Sequence, residues 1–255
     1  MTLLQREWGR RHWLPVVFRR SMPLGNIGPI VSFTFDDFPR SAYTVGGKIL
    51  ESFSARGTFY TAFGLMNTPS HCGDNFRGDD LGKLVADNHE LASHTFHHLS
   101  SRKTSVRAFV DDVVRGKAAI HGLPGIRATD NFAYPFGAVT ARAKKAVGQK
   151  MSSCRSIFPG INGPVVDLNL LRANPLYGDV DELDSVRELL RKNTERRGWL
   201  IFYTHDVQAT PSRYGCTPAF MEAAVKLAAK SSAKILTVND VLKLARQVNT
   251  AESKP

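Results

Sequence analysis

Ile30-Val31-Ser32-Phe33-Thr34-Phe35-Asp36-Asp37 is a short apolar run that ends on two adjacent carboxylates. A run of this length, rich in β-branched and aromatic residues, reads as a buried strand. Beyond Asp37 the chain alternates between helical and extended patterns. Residues 42–55 carry helical spacing through Val45, Ile49, Leu50 and Phe53, and residues 58–63 read as a second strand. A helix is expected over 79–87, a strand over 90–94 and a long amphipathic helix over 104–121. Strands over 131–134, 153–158, 199–204 and 234–238 then interleave with helices over 140–147, 181–193, 218–230 and 239–247. Repeated strand–helix units imply a parallel sheet covered by helices. About seven such units predict an α/β fold, a distorted (β/α) barrel of about seven parallel strands, with an open doubly wound sheet as the alternative. No GxGxxG or GxxxxGK[ST] sequence follows a strand, which removes the usual support for nucleotide binding.

The chain has 255 residues, 42% of them hydrophobic and 22% charged, which excludes a disordered or coiled-coil protein. The expected organisation is a basic arm over 1–27, one catalytic domain over 28–248 and a tail over 249–255. A net charge of +11 favours acidic partners without choosing among them. Basic residues are spread along the chain rather than interleaved with aromatics in one motif, so nucleic acid is not expected as a partner. No apolar run is long enough for a membrane-spanning helix. Residues 1–20 hold two Trp and five Arg but no extended apolar segment. No signal peptide is read there, and a cytoplasmic protein is expected. Cys72, Cys154 and Cys216 are odd in number and lack a CxxC pair, which argues against a disulfide framework or a cysteine zinc site.

In parallel α/β architectures, function gathers at the C-terminal ends of strands. Asp36-Asp37 ends the first strand, His94 the strand over 90–94, Tyr134-Pro135-Phe136-Gly137 the strand over 131–134, and His205-Asp206 the strand over 199–204. Taken singly, adjacent acids are often helix caps and HxxxH is often an exposed helix face. Their joint placement on one rim is more specific. His94 and His98 stand four residues apart, a spacing that on a helical turn aims both imidazoles at one point. An aspartate from the first strand end would complete three ligands and leave one position open. Two imidazoles and a carboxylate suit Zn²⁺, with Co²⁺, Ni²⁺ or Fe²⁺ also compatible.

Thr34-Phe35-Asp36-Asp37, Ser93-His94-Thr95-Phe96-His97-His98, Phe132-Ala133-Tyr134-Pro135-Phe136-Gly137 and Leu200-Ile201-Phe202-Tyr203-Thr204-His205-Asp206 together resemble the polysaccharide deacetylase family. That family includes the NodB-type chitooligosaccharide deacetylases and is also called carbohydrate esterase family 4. The resemblance covers residues 28–245. It implies a distorted barrel, a divalent metal that is usually zinc, and hydrolysis of an acetyl group from a saccharide. Carried over by motif position, Asp37, His94 and His98 would be metal ligands, Asp36 the base and His205 the acid. The Phe136 backbone N–H would serve the oxyanion beside Tyr134, and Tyr203 and Trp199 would line an acetyl pocket. Two departures stand out. The third motif usually reads Arg-x-Pro-Tyr, whereas Ala133 and Phe136 stand here at the Arg and Tyr positions; the fourth motif is not recognisable between Met151 and Arg172. Another cation should therefore orient Asp36, and Arg172 is the expected one, with Arg155 as the alternative. The competing readings are a metal-dependent amidase acting on a small non-sugar amide, and an inactive homologue that binds anionic polysaccharide.

Overall fold

The computed structural model describes residues 13–123 and 129–252. The strands, in chain order, are β1 (Ser21–Pro23), β2 (Ile30–Asp37), β3 (Thr58–Thr61), β4 (Pro69–Ser70), β5 (Gly73–Asp74), β6 (Glu90–Ser93), β7 (Asn131–Ala133), β8 (Ser153–Arg155), β9 (Val165–Asp167), β10 (Asn174–Pro175), β11 (Trp199–Thr204) and β12 (Lys234–Ile235). The helices are α1 (Lys48–Ser52), α2 (Gly78–Ala86), α3 (Val106–His121), α4 (Ala141–Gly148), α5 (Leu183–Arg196), α6 (Pro218–Lys230) and α7 (Val238–Glu252). The main sheet runs in the order β10-β11-β2-β3-β6-β7-β8, and every pairing in it is parallel. β12 pairs with the first residues of β2, below the register that β3 occupies. The sheet curves into a half-barrel. Between its edges the chain after β9 crosses the gap, bridging Leu171 to Arg155 before Asn174 joins Phe202. This is the barrel expected from the sequence.

Period-two alternation on β2 sorts its side chains. Phe33 and Phe35 face the helices and belong to the largest apolar cluster, with Phe38, Phe59, Leu200 and Met221. Phe35 stacks on Phe59 at a centroid distance of 4.5 Å, and Phe59 meets Phe38 at 5.2 Å. Ser32, Thr34 and Asp36 are buried on the other side, facing the barrel interior. That interior is narrow and part polar: Tyr60, Ala92 and Ala133 cluster there.

The segment from Trp13 to Leu24 lies against the body. Leu14 is buried, and β1 pairs antiparallel with β9. Lys144 of α4 donates to the Leu14 and Val17 carbonyls at 2.7 Å and reaches Asp167 at 2.6 Å. The Arg20 guanidinium donates to the Met151 and Ser152 carbonyls. No helix among the described residues is long and apolar enough to cross a membrane.

Because Phe59 is fully buried and stacked on Phe35, Phe59→Ala should cost about 3–5 kcal/mol of folding stability. Urea denaturation measures this. A loss under about 1 kcal/mol would place the aromatic stack outside the stabilising core.

Candidate metal centre and its surroundings

Asp37 closes β2 and takes a left-handed backbone (φ 64°), followed by Phe38 (φ 67°). In a regular strand, neighbouring side chains point to opposite faces. The turn breaks that alternation, so Asp36 stays in the barrel while Asp37 reaches over the rim. His94 follows β6, and His98 lies four residues on. The segment between them is not helical, contrary to the expectation from the HxxxH spacing. Thr95 (φ 64°) and His98 (φ 56°) are left-handed instead, an unusual conformation for a β-branched residue and one that persists only where the surroundings enforce it.

The surroundings are supplied by α3. The buried Asp112 carboxylate accepts the Phe96 and His97 N–H groups at 3.1 and 2.9 Å and faces His97 Nδ1 at 2.6 Å. These are donors that a helical turn would have used otherwise. Gly116 lets the helix approach: a Cβ there would sit 2.7 Å from the Thr95 carbonyl. The Thr95 hydroxyl in turn accepts the Leu99 N–H at 3.1 Å. Sequence reasoning missed Asp112 because it lies on a helix face otherwise read as solvated.

The result is convergence. The ligating atoms of Asp37, His94 and His98 lie within 4.8 Å of one another. Asp37 Oδ1 is 3.0 Å from His98 Nε2 and 3.4 Å from His94 Nε2. The same Oδ1 is buried and accepts no hydrogen bond. An ionised, unsatisfied oxygen between two imidazole nitrogens is a poor arrangement for a protein alone and a suitable one for a divalent cation. His94 Nδ1 faces the Ala133 carbonyl at 2.8 Å. A carbonyl only accepts, so Nδ1 carries the proton and Nε2 keeps its lone pair. Burial, above all, pushes His94 down to about 4, so it is neutral at physiological pH. Burial works to raise the Asp37 carboxyl. The neighbouring His98, His94 and His205 imidazoles outweigh it and hold Asp37 well below the usual carboxylate range.

His205 ends β11 with Nε2 3.9 Å from Asp37 Oδ2. Its backbone N–H donates to the Tyr214 carbonyl at 3.1 Å, and Nδ1 faces that same carbonyl at 3.3 Å. The neighbouring Asp206 is fully buried and holds the loop in place, accepting from Ser212 N, Ser212 Oγ and Gln208 Nε2. Sequence reasoning named His205 without the carbonyl that orients it.

The cation on Asp36 is Arg155, not Arg172. Arg155 Nη2 lies 2.5 Å from both Asp36 carboxylate oxygens, and the Arg155 side chain is fully buried. Arg172 lies at the N-terminal side of β10, away from the rim, and its Nη1 donates to the Pro159 carbonyl. The structure also explains Ala133. Ala133 and Arg155 are register partners on adjacent strands. The arginine is displaced by one strand at the same height, and the small Ala133 and Ala92 leave it room to cross the barrel. Its guanidinium sits 5.1 Å from the Tyr60 ring centroid and 5.0 Å from that of Tyr203.

The remaining expected residues divide. Phe136 is 66% exposed, and its ring lies 4.3 Å from that of His98. It lies in the short Pro135–Gly137 turn and takes a left-handed backbone (φ 58°). Tyr203 lies beside Arg155 and packs edge-on to Tyr177, a residue that sequence reasoning passed over. Tyr134 and Trp199 are corrected. Tyr134 is buried in the core with its hydroxyl on the Asn169 carbonyl at 3.3 Å. Trp199 begins β11, at the end of the barrel opposite the triad, and its indole N–H donates to Ser32 at 2.9 Å.

Residues 26–151 match the polysaccharide deacetylase family. No curated protein sequence matches the chain. Among solved structures, the chain is similar to the peptidoglycan deacetylase PdaC from Bacillus subtilis, with 15% identity, a TM-score of 0.53, and coverage of 89% of this chain and 96% of that one. It is similar to the chitin deacetylase of the fungal pathogen Colletotrichum lindemuthianum, with 16% identity, a TM-score of 0.56, and coverage of 86% and 90%. It is also similar to the Xyl-CE4 domain of a multidomain xylanase from the hindgut metagenome of Trinervitermes trinervoides, with 16% identity, a TM-score of 0.54, and coverage of 85% and 90%. At these identities the likeness is one of fold.

Asp112→Ala should free the Phe96–His98 turn and weaken the affinity of the Asp37, His94 and His98 cluster for a divalent cation by about 10–100-fold. Competition against a chelator reads this directly, and unchanged affinity would reduce Asp112 to packing. A second expectation concerns pH. His94 binds its proton at about 4 in the fold against 6.5 when unfolded. Between those values the unfolded chain therefore binds more protons, and metal-free protein should lose stability as pH falls through that window. Denaturation midpoints that stay flat between these two pH values would contradict the placement of His94.

Proposed function

We propose, from the match of residues 26–151 to the polysaccharide deacetylase family, that the chain is a metal-dependent hydrolase that removes acetyl groups from a saccharide, N-acetyl in preference to O-acetyl. The observation that carries this reading is the pairing of two environments on consecutive residues: Asp36 gripped by the buried Arg155, and Asp37 in a cluster with His94 and His98. Asp37, His94 and His98 would hold the cation, with zinc suited to this donor set and cobalt or nickel compatible. When bound, such an ion supplies Lewis acidity to the scissile carbonyl and lowers the pKa of water.

The chain's own groups do the rest. Arg155 orients Asp36, so the carboxylate can take the proton released as water adds to the acetyl carbonyl. The Phe136 N–H would donate to the oxygen that gains charge. An amine leaves poorly unless protonated. His205, anchored through Nδ1 on the Tyr214 carbonyl with Nε2 turned to the site, can supply that proton. Tyr203 and Tyr177 border the Asp36 side and would meet the acetyl methyl.

Acetate release from N-acetylated oligosaccharides is the direct assay. Chelation should abolish it and zinc restore it. Asp36→Asn should retain metal yet lose about 10²–10⁴-fold in turnover. Arg155→Lys keeps the charge but loses the planar fork, and should lower kcat without unfolding the protein. His205→Ala should harm amide substrates more than activated esters, whose leaving groups need no proton. Metal-loaded, folded protein that releases no acetate across a broad saccharide panel would overturn the reading.

A further inference from the structure

A second site lies away from the catalytic rim, under the N-terminal segment. There an open cavity of about 140 Å³ is lined by the chain at Pro15 and Arg19 and by the loop that carries Phe158, Asn162, Val165 and Arg172. Its polar groups are unequally satisfied. Asp167, the one acid among the described residues of its wall, accepts the Arg20 and Asn169 N–H groups at 3.0 Å and pairs with Lys144 at 2.6 Å. The Asn162 amide is engaged with Arg172 and Trp199 backbone atoms on both of its polar ends. The two arginines are different. Arg172 spends one nitrogen on the neutral Pro159 carbonyl. Arg19 is exposed, and among the described residues its side chain makes no hydrogen bond or ion pair. Two arginines therefore line one small cavity whose described acid already pairs with Lys144.

We propose that this cavity binds a phosphate-monoester dianion between Arg19 and Arg172. Two planar forks present donors that match phosphate oxygens, and a phosphate monoester carries a charge of about −1.5 to −2 near pH 7, which answers both cations. Bound there, it would tie the N-terminal segment to the body, because Arg19 belongs to that segment and Arg172 to the body. A free phosphate and a phosphatidic-acid headgroup bring the same chemistry. The lipid source is worth separating because Val165 on the cavity edge is 47% exposed, and Val16 and Phe18 on the covering segment are 69% and 44% exposed.

The test uses the full chain and two probes. Inorganic phosphate, titrated at constant ionic strength against chloride, should raise the thermal midpoint saturably, since a ligand that binds only the folded state stabilises it. Vesicles of phosphatidylcholine with phosphatidic acid should retain the protein where phosphatidylcholine alone does not, if the headgroup is the source. Arg19→Glu and Arg172→Gln should each weaken the response by about tenfold or more. Response to phosphate with no vesicle binding supports a soluble ligand, and acid-vesicle binding that Arg19→Glu abolishes supports the lipid. Should Arg172→Gln fail to fold, Arg19→Glu decides alone, because that side chain holds no bond among the described residues. No response of the wild type to either probe, or variants that respond like the wild type, would overturn the site.

Discussion

A buried ion pair governs the interior of this barrel. Arg155 and Asp36 meet with side-chain exposures of 0% and 5%. Removing two charges from water is costly, and the pair persists only if geometry and further contacts offset that cost. Here the offset has identifiable parts: one guanidinium nitrogen close to both carboxylate oxygens, and the Tyr60 and Tyr203 rings near the guanidinium carbon. The small Ala92 and Ala133 provide the volume. Burial works against the charged arginine, but Asp36 and the neighbouring tyrosines outweigh it and raise its pKa.

The next residue extends that constraint to the rim. Asp36 is fixed inside by its pair, so Asp37 must leave the strand by a left-handed turn to share a site with it. The histidines arrive by an equivalent device. Asp112 captures the N–H groups of the His94–His98 segment and prevents it from coiling into a helix. Four positive-φ non-glycine residues, Asp37, Thr95, His98 and Phe136, thus gather at the strand ends around this site. Such strain is held only by well-packed neighbours, which are Asp112, Gly116 and the β2–β3 pairing. The protonation states arise from the same packing: a neutral His94 and an ionised Asp37 are the forms that ligate a metal.

The legible parts of the sequence are those encoded by local pattern. Apolar runs and their alternation with amphipathic helices reveal the parallel barrel, and strand-end chemistry singles out Asp37, His94, His98 and His205. What local pattern cannot encode is register. Arg155 faces Asp36 because β8 pairs with β7 at the height of Ala133, a long-range fact absent from any spacing along the chain. Arg172 is suggested by its position in the order of motifs, yet it precedes its strand rather than ending it. Tyr134 and Trp199 mislead for a related reason: aromatic residues near motifs fill cores as readily as pockets. The HxxxH spacing suggests a helix because a lone carboxylate on a distant helix face gives no signal that it will compete for backbone donors.

The relocation of the arginine shows which part of such a site is fixed. In the family pattern, the third motif supplies a cation from the strand that here ends in Ala133. Asp36 needs a countercharge at one height inside the barrel, whichever strand carries it. In a parallel sheet, register partners on adjacent strands stand at the same height, so β8 offers an equivalent position. The exchange has one steric condition. A narrow interior cannot hold a long side chain from both strands, and overpacking would displace Tyr60 or Ala92. Arginine at 155 therefore requires a small residue at 133. Ala133 is the counterpart that lets the ion pair form from the other side, and the departure from the motif preserves the electrostatics that the motif exists to supply.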